Sequence, residues 1–283
     1  MASPTIAPIV SPEWLLDALA SPPAGGLVVA DARWYLDGRP ARPAFEAEHI
    51  DGAVFVDMDG VLAAHATPQE GRHPLPSPEV FATGLAAVGI GPHTTVVAYD
   101  DLEGRTAGRL AWMLRILGSE AALLDGGLGA WTGPRASGPS PDPTEPVEHP
   151  ARPWPHDAIV DADAMTAHIR NGGVVADARA PERFRGETEP VDPRAGHVPG
   201  AINVPFDANL GPDGRFRPPE ELAARFTTAG VDGDAILYCG SGVSACHNVL
   251  AAEAAGLGRP RLYVGSWSQW SSDPDRLVAT GDA

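Results

Sequence analysis

Cysteine is scarce in this chain: Cys239 and Cys246 are the two present in 283 residues. Two cysteines cannot build a disulfide framework, so a reduced, cytoplasmic setting is expected. Long apolar runs are missing as well. No stretch approaches the roughly 20 apolar residues of a membrane span, so no membrane partner is expected. The first residues, Met1-Ala2-Ser3-Pro4-Thr5, lack a basic segment and a continuous apolar core, which argues against a secretory leader. Positive charge is also short. Twenty Lys and Arg face 37 Asp and Glu, a net charge of −17. That balance argues against nucleic acid and anionic membranes, because phosphate backbones select for Lys and Arg. A small anionic ligand would need a local basic site set against this background. What is present is ordinary for a globular chain, with 43% hydrophobic and 20% charged residues. The length suggests two domains.

The chain is written twice. Ala30-Asp31-Ala32-Arg33 recurs as Ala176-Asp177-Ala178-Arg179, and His49-Ile50-Asp51-Gly52-Ala53 as His197-Val198-Pro199-Gly200-Ala201. Gly71-Arg72-His73 matches Gly214-Arg215-Phe216, and Pro78-Glu79 matches Pro219-Glu220. Leu124 to Trp131 matches Tyr263 to Trp270. Five matches in one order, with slowly drifting offsets, imply a tandem duplication of a globular domain. Between the copies, Gly133 to His156 holds eight prolines and no apolar periodicity. Proline removes backbone donors and favours extended chain, so this stretch reads as a linker. The expected division is residues 1–132, a linker 133–156, and residues 157–283.

Within each copy, short apolar runs alternate with helical patterns. Leu27–Ala30, Thr95–Tyr99, Gly173–Ala176 and Ala235–Tyr238 read as buried strands. Helices are expected near residues 13–20, 78–88, 108–117, 161–171, 219–229 and 243–255. Continuous apolar strands alternating with helices predict an α/β fold, each copy a mostly parallel sheet with helices on both faces.

The residue that most needs explaining is Cys239, in Tyr238-Cys239-Gly240-Ser241-Gly242-Val243-Ser244-Ala245. It ends a strand and precedes a helix. A free thiol of pKa about 8.5 is mostly protonated at neutral pH. A helix N-terminus favours the thiolate. Gly240, Ser241 and Gly242 let the backbone curl so that several N–H groups point at one centre. Ser241 and Ser244 add hydroxyl donors. The plain alternative is a buried structural thiol, since free cysteine is among the most buried residue types. Cys246 reads more naturally as a core thiol, with a resolving role as the alternative.

These motifs together resemble the tandem-rhodanese sulfurtransferases, of the 3-mercaptopyruvate/thiosulfate group. The likeness rests on the doubled Asp-x-Arg, the doubled His-x-x-Gly-Ala, the Cys-Gly-Ser-Gly-Val-Ser-Ala loop and the terminal Gly-Ser-Trp-Ser-Gln-Trp. It implies two rhodanese-like domains and a double displacement: a small anionic donor gives sulfur to Cys239, and an acceptor takes it from the persulfide. The acceptor could be a thiol, cyanide or a thioredoxin-like protein. No cofactor is implied, because the persulfide carries the group. In the first copy Asp100 stands where Cys239 stands, so that copy is expected to be silent.

The resemblance assigns Arg183 to the donor's anionic group, with Gly240, Gly242, Val243 and Ser244 forming the cradle. It assigns Asp59, His73 and Ser241 to proton handling beside Cys239, in a site that would straddle the two copies. A surface histidine on a proline-rich loop is the alternative for His73. Relatives of the mercaptopyruvate type often carry a second arginine after Arg183; here Val191 takes that place. Arg179, repeated as Arg33, is expected to be ion-paired at its strand end, and His49 and His197 to be structural. The loop after Cys239 carries no cation, which favours 3-mercaptopyruvate over the thiosulfate dianion. A cysteine-dependent phosphatase would need an arginine six places after the cysteine, where Ala245 stands. A sulfur carrier or redox-sensing module without turnover is the remaining alternative class.

Overall fold

Serine, aspartate and proline set where the helices begin. In the computed structural model, which describes residues 4–141, 143 and 147–282, helix α1 (Pro12–Ala20) starts at Ser11, whose hydroxyl accepts from Trp14 N. The N-terminal residues 1–3 and residues 142 and 144–146 of the proline-rich stretch lie outside the described residues. Helix α1 follows the short strand β1 (Ile9–Val10). The rest of the first copy runs β2 (Leu27–Asp31), α2 (Ala41–Ala47), β3 (His49–Ile50), β4 (Val54–Phe55), α3 (Pro78–Ala87), β5 (Thr95–Tyr99), α4 (Ala107–Ile116), β6 (Ala121–Leu124), α5 (Gly127–Ala130) and β7 (Arg135–Ala136). The second copy repeats the scheme with β8 (Ile159–Val160), α6 (Ala162–Arg170), β9 (Val175–Asp177), α7 (Pro181–Phe184), β10 (Ile202–Asn203), α8 (Pro219–Thr228), β11 (Ile236–Tyr238), α9 (Ser244–Ala254), β12 (Arg261–Tyr263) and α10 (Ser266–Ser272). Proline in the first turn recurs in α1, α3, α7 and α8, where its missing N–H costs nothing.

The two main sheets share one topology. The first runs β1-β6-β5-β2-β4 and the second β8-β12-β11-β9-β10, every pairing parallel. The central strands β5 and β11 are buried along their whole length, so they read as unbroken apolar runs. This places Asp100 and Cys239 at the carboxyl end of the middle strand of their respective sheets, where open α/β sheets bind ligands.

Smaller features also repeat. Arg33 pairs with Asp31 at 2.5 Å, and Arg179 with Asp177 at 2.7 Å, in each case at the strand end. The Tyr99 and Tyr238 hydroxyls accept from the Ile50 and Val198 amides at 3.1 and 3.2 Å. Burial pushes both phenols far up, so they stay neutral. His49 stacks on Phe45 and His197 on Phe184, each with Nδ1 within 2.9 Å of that phenylalanine's carbonyl.

Packing divides the chain into two units that do not follow sequence order throughout. The first holds residues 4–64, 76–154 and 212–215; the second holds 65–75, 155–211 and 216–282. The proline-rich stretch is not a bare tether. Its β7 pairs antiparallel with β3, Ser140 Oγ accepts from Phe55 N at 3.1 Å, and Trp154 Nε1 donates to Pro76 O at 2.8 Å. Proline content reports the absence of regular structure, and says nothing of such strapping.

The segment 65–75 is placed differently by sequence and by packing. By sequence it belongs to the first copy; by packing it belongs to the second unit. Gly71 allows this. Its φ is +89°, and a methyl group there would come within 2.6 Å of Gly265 O and 2.7 Å of Ser268 Oγ. Arg72 N donates to Ser268 Oγ at 3.0 Å, and Gln269 Nε2 donates to Gln69 O.

Candidate active site

Strand β11 ends on Tyr238 and delivers Cys239 into a four-residue turn before α9. Gly242 adopts φ +73°, a left-handed conformation that suits glycine, and this turns the chain back so that its amide donates to Cys239 Sγ at 3.2 Å. The backbone of Cys239 is held from the other side. Its N–H donates to Ser266 Oγ at 3.2 Å, and its carbonyl accepts from Trp267 N at 2.9 Å. Gly240 O accepts from Ser268 N at 2.8 Å. The thiol is buried, and neither cysteine is in a disulfide. Cys246 lies in α9, its Sγ donating to Gly242 O at 3.3 Å, so it supports the turn from beneath.

Ser266 was not among the residues singled out from the sequence. It is one of two described non-glycine residues with positive φ, at +53°. Its hydroxyl accepts from Cys239 and donates to Tyr263 O at 2.9 Å. The repeat held the signal: glycine occupies the matching place, Gly127, with φ +54°.

His73 reaches this turn. Its Nδ1 lies 2.8 Å from Ser241 Oγ, and both residues are buried. The segment 65–75, part of the first copy by sequence, therefore brings His73 to Ser241 within the second packing unit. Asp59 belongs to the first unit. It is exposed, in a π-helical turn, Met58–Leu62, and borders a surface cavity with Tyr35, Arg39 and Arg42. Val243 precedes α9, and Ser244 opens it, half-buried.

No lysine occurs in the sequence, so every fixed basic side chain is a guanidinium or an imidazole. Arg183, from α7, donates to Glu189 Oε1 at 2.6 Å and to Asp192 Oδ2 at 3.3 Å. Glu189 Oε1 also accepts from the Val191 and Asp192 amides, both at 3.1 Å, which fixes that loop. Arg179 pairs with Asp177 and with Glu189 at 3.1 Å, the structural role expected for it. Arg72 pairs with Asp192 Oδ1. Burial raises the Asp192 carboxyl above its ordinary range, while Arg72 pulls it down. A methyl group built on Gly240 would lie 2.9 Å from Arg72 Nη2 and 3.6 Å from Arg183 Nη1. Both guanidinium groups therefore lie against residue 240, Arg72 the more closely. Arg72 escaped the sequence reading because the repeat disguises it: Gly214-Arg215 matches Gly71-Arg72.

Trp267 and Trp270 are both buried in the second core, and Arg179 lies 4.6 Å over the Trp267 ring. Among the described residues no cluster of three or more His, Cys, Asp or Glu could hold a metal, and no helix is long and apolar enough to cross a membrane.

The rhodanese-like domain model matches residues 11–134 and again 161–273. The chain belongs to the rhodanese family. A Pseudomonas aeruginosa protein named "Probable 3-mercaptopyruvate sulfurtransferase" is 45% identical over 90% of this chain and 93% of its own length. The rat 3-mercaptopyruvate sulfurtransferase is 38% identical, covering 99% of this chain and 98% of its own. A Mycobacterium tuberculosis relative named "Putative thiosulfate sulfurtransferase SseB" is 39% identical over 90% of this chain and 91% of its own. Among solved structures, the 3-mercaptopyruvate sulfurtransferase of Leishmania major aligns with a TM-score of 0.78 at 31% identity, covering 95% of this chain and 76% of that one. These likenesses span both copies, as a duplicated rhodanese protein requires.

Proposed function

We propose that this rhodanese is a sulfurtransferase that takes sulfane sulfur from 3-mercaptopyruvate onto Cys239 and passes it to a thiophilic acceptor. The observation that carries the reading is the turn at Cys239. The sulfur receives the Gly242 amide, Ser241 is hydrogen-bonded to His73, and the loop 240–243 carries no charged side chain of its own.

The step balances without a cofactor. The Cys239 thiolate attacks the donor sulfur, forming an S–S bond. The donor C–S bond breaks, and its electron pair goes to carbon as the enolate of pyruvate. The proton lost by the donor thiol equals the one the enolate carbon gains. The hydrogen-bonded Ser241 and His73 are proposed to carry it between the two. An acceptor thiolate or cyanide then attacks the outer sulfur and releases Cys239 as thiolate. Asp59 joins this scheme only through the family resemblance. The first copy, with Asp100 in the cysteine place, is proposed to be silent.

Thiosulfate is the competing donor, favoured by the name of the M. tuberculosis relative. Charge bookkeeping around the turn weighs against it. Arg72, Arg179 and Arg183 face Asp177, Glu189 and Asp192, three cations against three carboxylates. A neutral cluster suits a monocarboxylate better than a dianion.

Incubation with 3-mercaptopyruvate and cyanide should give pyruvate and thiocyanate in equal amounts. Thiocyanate formed only from thiosulfate would overturn the donor assignment. No turnover with either donor would leave a sulfur carrier or redox module.

A further inference from the structure

Position 191 leaves a gap that another segment fills. Val191 is 38% exposed and offers only its backbone N–H, which goes to Glu189. Arg72, far away in sequence, brings its Nη2 against Gly240 beside the Arg183 fork. Asp192 reveals the spacing of the two guanidinium groups: its Oδ1 accepts from Arg72 and its Oδ2 from Arg183. One carboxylate therefore spans the pair on its buried side, where the Asp192 side chain is 3% exposed. The two arginine side chains are more open, at 25% for Arg72 and 18% for Arg183. Each also keeps a buried Nε without a hydrogen-bond partner. The solvent-open part of each side chain is what a ligand can reach, and a carboxylate is the natural acceptor of a guanidinium.

We propose that Arg72 is a donor-binding residue, forming with Arg183 a two-arginine clamp for the donor's carboxylate beside Cys239. This rests on the sulfurtransferase reading and deepens it. Asp192 is the internal counter-ion that holds both forks at the width of one carboxylate. The donor's carboxylate takes the N–H groups that Asp192 leaves open. The second cation thus comes from the segment 65–75 rather than from the loop after Arg183. The same segment supplies His73, so a single stretch of chain brings in both the clamp and the Ser241 partner.

The test separates the clamp from turnover. Alkylation of Cys239 is followed with 3-bromopyruvate, which keeps the carboxylate, and with ethyl bromopyruvate, which is neutral. In both, the thiolate forms a C–S bond and bromide leaves. In Arg72→Met the preference for the acid should fall about tenfold or more, because a charge-assisted hydrogen bond is lost. Arg183→Met should do the same, and the KM for 3-mercaptopyruvate should rise in parallel with little change in kcat. Arg72→Lys keeps a charge without the fork and should fall between. It also serves if the methionine variant folds poorly. An unchanged acid-to-ester ratio in both Arg72 variants would overturn the clamp, whatever the protein does with mercaptopyruvate. So would an equal loss of both alkylation rates, which would make Arg72 a support for the loop. Failure of the wild type to turn over mercaptopyruvate, with the ratio still sensitive to Arg72, would overturn the donor and keep the carboxylate site.

Discussion

The two copies end their central strands on different answers to one problem. In the first, the Asp100 carboxylate accepts from the amides of Leu102, Gly104, Thr106 and Ala107 at 2.7 to 2.8 Å, and from the Thr106 hydroxyl at 2.9 Å. In the second, Cys239 Sγ accepts from the Gly242 amide at 3.2 Å. The carbonyls of both residues are held alike, Asp100 O by Leu128 N at 2.8 Å and Cys239 O by Trp267 N at 2.9 Å. A turn between a strand end and a helix thus gathers donors on the Asp100 carboxylate in one copy and brings an amide to the Cys239 sulfur in the other. In the first copy the anion is built into the chain. In the second, a thiol stands there, and the anion it is suited to hold is its own thiolate or a persulfide.

The comparison breaks most sharply at the cysteine. Cys239→Ser should reduce sulfur transfer to background, at least about a thousandfold, because the hydroxyl is a far weaker nucleophile. Mass spectrometry after donor treatment should show a single added sulfur on the wild type and none on the variant. Sulfur added to Cys246 instead would refute the assignment. The reciprocal change acts on stability. Asp100→Ala removes the acceptor of five hydrogen bonds and should cost about 2–4 kcal/mol. The expected fall in Tm is on the order of 10 °C. An unchanged Tm would mean that water replaces the carboxylate at no cost.

His73 sharpens the comparison at the next level. The matching place in the second copy is Phe216, which stacks on His247 at 4.3 Å. His73→Phe should lower kcat for mercaptopyruvate by about a hundredfold and flatten its pH profile, since proton transfer would lose its relay. The neutral alkylation of Cys239 should change little. Unaltered turnover and pH profile would end the relay.

What could be read from the sequence, and what could not, divides by the range of the interaction. The repeated Asp-x-Arg ion pairs, the paired histidines, the apolar central strands and the helix starts at Ser11, Ser77 and Asp161 are written in adjacent residues. Cys239 was legible because the turn and the helix follow it directly. Arg183 and the His73–Ser241 contact came from family resemblance, since nothing local to His73 points at residue 241. Arg72 needed the fold. Its position depends on Gly71 fitting against Gly265 and Ser268, nearly 200 residues away, and a one-dimensional pattern does not encode that fit. Duplication both helped and misled. It exposed Asp100 as an internal control, but it made Arg72 look like a shared feature and gave no sign that the segment 65–75 packs with the second unit.

The smallest expected effect concerns a backbone conformation that the two copies share but fill with different residues. Ser266 and Gly127 share φ near +54°, a conformation that glycine adopts freely and serine does not. Holding a non-glycine residue there costs about 1–3 kcal/mol. The Ser266 hydroxyl offsets this by bonding Cys239 N and Tyr263 O. Ser266→Gly should therefore relieve strain, lose two hydrogen bonds and gain unfolded-state entropy. These terms nearly cancel, leaving stability within about 1 kcal/mol of the wild type. Function should not cancel, because the Cys239 amide loses its acceptor and the turn loosens. Sulfur transfer is expected to fall about three- to tenfold, with Tm moved by no more than a few degrees. Full activity in this variant would show that the strained serine is a relic of the fold and not a support for the nucleophile. A large fall in Tm with activity retained per folded molecule would assign Ser266 to stability alone.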